Sequence, residues 1–143
     1  MKSKILVFIQ FATIFLMLLP IGTKTSNFYV GITLLVIGLI IGIAAIYKNR
    51  FGNFNIRPDI KEDCKLITDG IYAYVRHPMY TSVLVAMFGI MLLYINIFEI
   101  ILYTILLINM LIKMFYEEKL WNCNGENYRE YAQKTSRLIP FLF

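Results

Sequence analysis

The apolar residues of this chain are concentrated in four long blocks that are separated by shorter polar segments. The blocks cover approximately residues 5–22, 28–47, 79–95 and 97–115. About 20 helical residues cross the hydrocarbon core of a membrane, which is roughly 30 Å thick. The pattern therefore predicts an all-α, polytopic membrane protein, with four transmembrane helices in one membrane domain of residues 1–143.

The first block follows Lys2 and Lys4, as the apolar run of a signal peptide would. No small-x-small cleavage site comes after the block, and Pro20-Ile21-Gly22 is typical of a helix end. We therefore expect the block to be retained as a membrane span.

Basic residues give the expected orientation, because Lys and Arg accumulate in cytosolic loops. With both termini in the cytosol, segments 48–78 and 116–143 are cytosolic too, and of the 14 Lys and Arg only Lys24 lies outside. Topology then explains the net charge of +5 without a nucleic-acid partner. We expect a protein of a bacterial or archaeal cytoplasmic membrane.

The third and fourth blocks are almost contiguous, which predicts a tight helical hairpin. Asn96 is the predicted cap of the fourth helix, and Glu99 at the third helical position would complete a pair of the capping-box type. Residues 126–136 predict a short cytosolic helix with Tyr128 and Tyr131 on one side.

A stripe of small residues runs along the second block and includes Gly31, Gly38, Gly42 and Ala45. Small residues on a shared face let membrane helices approach closely. Two uses of the stripe are open: packing within the bundle, and homodimerisation through the face that carries Gly38 and Gly42.

Polar residues that could carry chemistry lie just before the third block. Arg76, His77 and three tyrosines fall within nine positions, and Pro78 suits the first turn of the helix that follows. Gly70 can supply a turn in which the backbone approaches a ligand. The structural alternative is that Arg and Tyr only anchor the interface.

A second group of polar residues lies at the end of the fourth block. Asn109, Lys113 and Glu117 recur every four residues and so share one helix face. Lys113 could instead snorkel to the interface. Glu117 and Glu118 form an acidic pair, which a helix C-terminus disfavours unless the helix continues or a ligand uses the carboxylates.

Metal chemistry and disulfides are not expected from the sequence. The chain has one histidine, and Cys64 and Cys123 lie far apart without metal-ligand spacing. We expect both cysteines to be reduced thiols that bind no metal.

The order of these motifs closely resembles the isoprenylcysteine carboxyl methyltransferase family and the related phospholipid methyltransferases. The resemblance covers about residues 55–143. It is carried by Gly70-x-Tyr72-x-x-x-Arg76-His77-Pro78-x-Tyr80, a helical hairpin, Glu117-Glu118, Tyr128-x-x-Tyr131 and Arg137-Leu138-Ile139-Pro140.

The resemblance implies an integral membrane methyltransferase that uses S-adenosylmethionine as its methyl donor. The acceptor would be hydrophobic, an isoprenoid or lipid with a carboxylate, thiol or amine. Cofactor-binding roles are implied for Tyr72, Arg76, His77, Pro78, Tyr80, Glu117, Glu118 and Tyr131. Arg137 is implied as a catalytic residue that contacts the cofactor carboxylate or orients the substrate.

Two other classes of protein remain open on the sequence. One is an NADPH-dependent membrane reductase of similar architecture, although an acidic pair suits a 2′-phosphate poorly. The other is a non-enzymatic small membrane protein, although transport proteins usually carry polar residues in mid-membrane and these blocks are almost wholly apolar.

Overall fold

The structure is a computed structural model that describes residues 2–19, 27–53, 66–123 and 126–142. Within these ranges the chain is all-helical and forms no β-strand. A 3₁₀ turn at Gly70–Ala73 precedes α3, and the five α-helices are α1 Lys2–Met17, α2 Phe28–Asn53, α3 Pro78–Leu93, α4 Ile97–Cys123 and α5 Glu126–Lys134.

Among the described residues, two helical segments are long and apolar enough to cross a membrane, Phe28–Asn49 of α2 and Ile97–Trp121 of α4. The apolar parts of α1 and α3 are shorter. Large apolar side chains such as Phe8 and Ile43 are 73% and 68% exposed, as a surface in contact with lipid requires. The all-helical class is confirmed, whereas the four-span topology and its orientation stay predictions.

The small-residue stripe of α2 packs against α3. A Cβ added at Gly38 would lie 2.6 Å from the backbone nitrogen of Ala86, so the two backbones are in direct contact. The hydroxyl of Ser82 donates a hydrogen bond to the carbonyl of Gly38 at 2.8 Å. Packing within the bundle is therefore confirmed. Homodimerisation through this face stays a prediction and would require α3 to leave it.

The hairpin between α3 and α4 has the predicted connection of a few residues. The backbone nitrogen of Glu99 donates to the Asn96 side-chain oxygen at 3.1 Å, so the predicted cap is confirmed. The prediction that Glu99 completes a pair of the capping-box type is wrong, because its carboxylate has no hydrogen-bond partner among the described residues. Pro78 begins α3, also as predicted. These two features fix where the hairpin starts and turns.

Helix α4 is longer than the sequence analysis predicted. The expected span ended at residue 115, but the helix runs to Cys123 and includes Glu117 and Glu118. The acidic pair therefore lies inside a helix, which is one of the two alternatives left open. Cys64 lies outside the described residues, and only the backbone of Cys123 is described.

Lys113 does not snorkel to the interface, so that alternative is wrong. The residue is 1% exposed, and its ammonium donates a hydrogen bond to the side-chain oxygen of Gln10 in α1. Asn109, one turn earlier, donates to the carbonyl of Leu6 at 3.1 Å. Polar contacts thus join α4 to α1 within the apolar region.

Candidate active site

The loop before α3 is joined to the C-terminal tail by backbone hydrogen bonds. Residues 74–77 and 136–137 lie side by side, with a parallel bridge at Val75 and Ser136. The backbone nitrogen of Arg76 donates to the carbonyl of Ser136 at 2.8 Å, and that of His77 donates to the carbonyl of Arg137 at 3.1 Å. In the other direction, the nitrogen of Ser136 donates to the carbonyl of Tyr74 at 3.1 Å. Two segments 60 positions apart in sequence therefore form one unit at the start of α3.

The turn at Gly70 places this loop on the end of α2. Gly70 has a φ of +62°, a conformation that costs L-residues roughly 1–2 kcal/mol. Beside it, the ammonium of Lys48 lies 2.6 Å from the Asp69 carboxylate, and this hydrogen bond lowers the pKa of Asp69. The predicted turn at Gly70 is therefore confirmed, whereas the approach of its backbone to a ligand stays a prediction.

Replacing Gly70 with alanine is expected to lower the free energy of unfolding by about 1–2 kcal/mol, because alanine must adopt the left-handed conformation. Asparagine tolerates that conformation better, so Gly70→Asn serves as the matched control. Thermal unfolding of both purified variants in detergent measures the difference. Equal losses for the two variants would show that crowding against Lys48 decides instead.

Glu118 is the centre of a buried ion-pair cluster. Its Oε1 accepts a hydrogen bond from Nε of Arg76 at 3.0 Å, and its Oε2 accepts one from Nε of Arg137 at 2.9 Å. The Arg76 and Glu118 side chains are 7% and 9% exposed. One carboxylate of α4 therefore binds the loop before α3 and the tail at the same time.

Arg76 also holds the end of α5. Its Nη1 donates to the carbonyl of Ala132 at 2.8 Å and to the carbonyl of Thr135. The phenol of Tyr131 donates to the carbonyl of Tyr72 at 2.6 Å. These hydrogen bonds join the loop before α3 to α5, so Arg76 and Tyr131 stabilise the arrangement of these two segments.

His77 is a buried residue of the cluster whose ring makes few hydrogen bonds with the described residues. Its ring stacks on Tyr80 at 5.4 Å with an interplanar angle of 2°. Its Nε2 lies 3.5 Å from Oε1 of Glu118 and has no hydrogen-bond partner of normal geometry among the described residues. A buried nitrogen without a partner is costly unless a ligand or water binds it.

Glu117 faces the same space from the next position of α4. Its Oε2 accepts a hydrogen bond from the phenol of Tyr80 at 2.8 Å and lies 3.9 Å from Nδ1 of His77. The Glu117 side chain is 30% exposed, against 9% for Glu118. Of the two carboxylates, Glu117 is therefore the more accessible to a ligand.

Tyr128 lies beside the candidate site, although the sequence motifs did not predict a role for it. Its ring stacks on Trp121 at 5.9 Å and meets Tyr131 edge-on, and its buried hydroxyl has no partner among the described residues. Burial raises the pKa of Tyr128, and that of Tyr131 to about 12, so both phenols stay neutral donors. The sequence feature that could have predicted a role for Tyr128 is its position on the same face of α5 as Tyr131.

An apolar cavity of about 380 Å³ adjoins the polar cluster. Thr81 and Leu138 line the cavity and directly follow Tyr80 and Arg137 in the chain. The Thr81 hydroxyl lies 3.2 Å from the carbonyl oxygen of His77 and donates a 2.8 Å hydrogen bond to the Leu138 carbonyl. The other lining residues are Leu34, Leu84, Val85, Phe88, Tyr103, Leu107, Leu111 and Ile139.

The structure brings the predicted site residues into one region. Arg76, His77, Tyr80, Glu117, Glu118 and Arg137 are linked by the contacts above, and Tyr72 is bound to Tyr131. Pro78 is fully buried in the first turn of α3, where it shapes the backbone. The roles predicted for these residues towards a cofactor or substrate stay predictions.

This chain belongs to the phospholipid methyltransferase family, whose family model matches residues 26–124. The resemblance drawn from the motifs is thereby confirmed. The match includes the loop before α3 and the acidic pair, but not α1 or the residues from α5 onward.

Curated relatives carry a more specific name. A "Probable protein-S-isoprenylcysteine O-methyltransferase" of Oryza sativa subsp. indica is 33% identical over 117 residues, which are 80% of this chain and 61% of the relative. "Protein-S-isoprenylcysteine O-methyltransferase B" of Arabidopsis thaliana is 31% identical over 120 residues, 82% of this chain and 60% of the relative. The chain thus spans about 61% of the length of the rice relative.

A fission-yeast relative is similar over a shorter region. "Protein-S-isoprenylcysteine O-methyltransferase" of Schizosaccharomyces pombe is 31% identical over 83 residues, 57% of this chain and 35% of the relative. These relatives are eukaryotic, so they give no support to the expected bacterial or archaeal membrane. No solved structure matches the chain.

Proposed function

We propose that this protein is an S-adenosylmethionine-dependent methyltransferase that methylates a hydrophobic acceptor at the cytosolic face of a membrane. The observation that carries the proposal is a polar cluster that lies beside an apolar cavity and contains a buried histidine whose Nε2 makes no hydrogen bond of normal geometry with the described residues. A polar donor and a lipid-like acceptor can meet only at such a boundary. Family membership and the names of the relatives support the reaction class.

The residues of the cluster suit the groups of S-adenosylmethionine. Glu117 is exposed enough to accept hydrogen bonds from an ammonium group or a ribose diol. Among the described residues, the buried hydroxyl of Tyr128 has no hydrogen-bond partner, and Nε2 of His77 has only a 3.5 Å contact to Glu118, so both could bind a ligand. Aromatic faces beside them can attract a cation. The bound donor supplies a methyl group that is activated by the positive charge of the sulfonium.

The chain itself supplies positioning and exclusion of water. Glu118 binds Arg76 and Arg137 and so keeps the tail closed over the start of α3. Displacement on a sulfonium carbon needs the two reactants aligned, and alignment contributes much of the rate enhancement in such reactions. A carboxylate or thiolate acceptor is already deprotonated and needs no general base, so the cluster can support methyl transfer without one.

The apolar cavity is the proposed site of the acceptor chain. Arg137 lies between the cavity-lining tail and Glu118, with its guanidinium 5.5 Å from the ring centre of Phe115. The Arg137 side chain is 37% exposed and carries a positive charge that suits an acidic acceptor. Arg137 is therefore the proposed catalytic residue, orienting the acceptor towards the methyl group.

Calorimetry on the purified protein tests the donor. We expect S-adenosylmethionine and S-adenosylhomocysteine to bind and NADPH not to bind. His77→Ala and Glu117→Gln should each weaken binding of S-adenosylhomocysteine about tenfold or more, because each removes a polar contact to a charged or hydrogen-bonding group. Glu130→Gln, which removes an acid from the exposed side of α5, is the matched control. Binding of NADPH alone would instead identify a reductase.

A further inference from the structure

Lys113 is a buried cation whose charge also attracts the carboxylate of Glu117, one turn along α4, but the proposed reaction gives it no contact with donor or acceptor. It lies in the apolar part of α4, 1% exposed, with its ammonium donating to the side chain of Gln10 in α1. A charge in such a place is expensive and is kept only where it has a role or partners. Helix α1, which supplies the partner, lies outside the region that the family model matches.

The ammonium of Lys113 contacts Tyr80 of the candidate site. It lies 5.4 Å from the centre of the Tyr80 ring, within the range of a cation–π contact. Tyr80 in turn stacks on His77 and donates its phenol proton to Glu117. A chain of contacts therefore runs from α1 to the groups proposed to bind the donor.

We infer that Lys113 is a positioning residue for the candidate site. Gln10 of α1 holds the ammonium, and the ammonium holds the Tyr80 ring. The ring orientation then determines both the stack on His77 and the hydrogen bond to Glu117. In this way α1 contributes to the site through Lys113. The inference rests on the proposed function for its effect on binding, but the ring geometry can be tested without a ligand.

The sole histidine makes the geometry measurable, because the imidazole gives one set of nuclear magnetic resonance signals. Protein with labelled histidine in detergent micelles is compared as wild type and as Lys113→Met, an apolar side chain of similar length. We expect the His77 ring signals to shift in Lys113→Met and to stay near their wild-type positions in Lys113→Arg, which keeps the charge. Gln10→Leu, which keeps Lys113 but removes its partner, should shift them in the same direction.

Asn109→Leu is the matched control, because it removes the neighbouring polar contact between α4 and α1 without touching Tyr80. It should lower the melting temperature and leave the His77 signals in place. Affinity for S-adenosylhomocysteine should fall about tenfold or more in Lys113→Met and stay within about threefold in Lys113→Arg and Asn109→Leu, as loss of a desolvated cation–π contact predicts.

The outcomes separate the two proposals. Unchanged His77 signals in Lys113→Met, or equal changes in Asn109→Leu, would overturn the inference and leave Lys113 as a packing residue. A wild-type protein that binds no S-adenosylhomocysteine would overturn the proposed function. Shifted His77 signals in that case would still support the positioning role of Lys113.

Discussion

Glu118→Gln is expected to lower the free energy of unfolding by about 3 kcal/mol, at the low end of the range for breaking a buried ion pair. The substitution leaves the guanidinium of Arg76 buried without an opposite charge, since that side chain is only 7% exposed. It also removes the charge that holds Arg137 and the tail. Chemical unfolding in detergent measures the loss, and limited proteolysis of the tail reports its release.

The neighbouring acid provides the control. Glu117→Gln replaces the same chemical group one position earlier, where the side chain is more exposed and its hydrogen bond comes from Tyr80. We expect it to lower stability by about 1 kcal/mol or less while weakening donor binding. Equal loss of stability in both variants would contradict the central structural role given to Glu118.

The second large effect is expected at the contact between α2 and α3. Gly38→Ala places a Cβ 2.6 Å from the backbone nitrogen of Ala86, and a backbone atom cannot turn aside as a side chain can. The helices must separate locally, at a cost of about 3 kcal/mol, the upper part of the range for overpacking. Unfolding of the purified protein by increasing denaturant measures it.

Gly42→Ala, one helical turn further along the same stripe, is the comparison. Its added Cβ meets the hydroxyl of Ser82, which can rotate to another position at the cost of its hydrogen bond to the carbonyl of Gly38. We expect a loss of about 1 kcal/mol or less. Similar losses at both positions would show that the close backbone approach at Gly38 is not the cause.

Features set by local sequence were predictable. The cap at Asn96, the start of α3 at Pro78 and the turn at Gly70 each depend on the conformational limits of a single residue type. The small-residue stripe also identified the face of α2 that packs, because only small side chains permit that approach. Which helix would cover the stripe could not be read from α2 alone.

The end of helix α4 could not be predicted from hydropathy. The apolar run ends near residue 115, but the backbone stays helical to Cys123. A change in hydropathy therefore does not mark the end of a helix. The acidic pair is tolerated there because Tyr80 and two arginines donate hydrogen bonds to it. Those donors come from other segments of the chain, so the local sequence could not reveal them.

The candidate site was predictable as a set of residues but not as an arrangement. Motif order brought His77, Glu117 and Arg137 together as candidates. It did not distinguish the carboxylate that holds the tail, Glu118, from the more accessible one, Glu117. Nor did it assign Tyr128, whose unsatisfied hydroxyl is visible only once burial and neighbours are known.

The pairing of Gln10 with Lys113 has a consequence for how the protein is made. The two residues are 103 positions apart. At a synthesis rate of about 5–20 residues per second, α1 exists for roughly 5–20 seconds before α4 has been translated. If α1 enters the membrane as predicted, the amide of Gln10 lacks this partner during that interval, because hydrocarbon offers none. Membrane insertion of α1 would then be favoured only once α4 has been made.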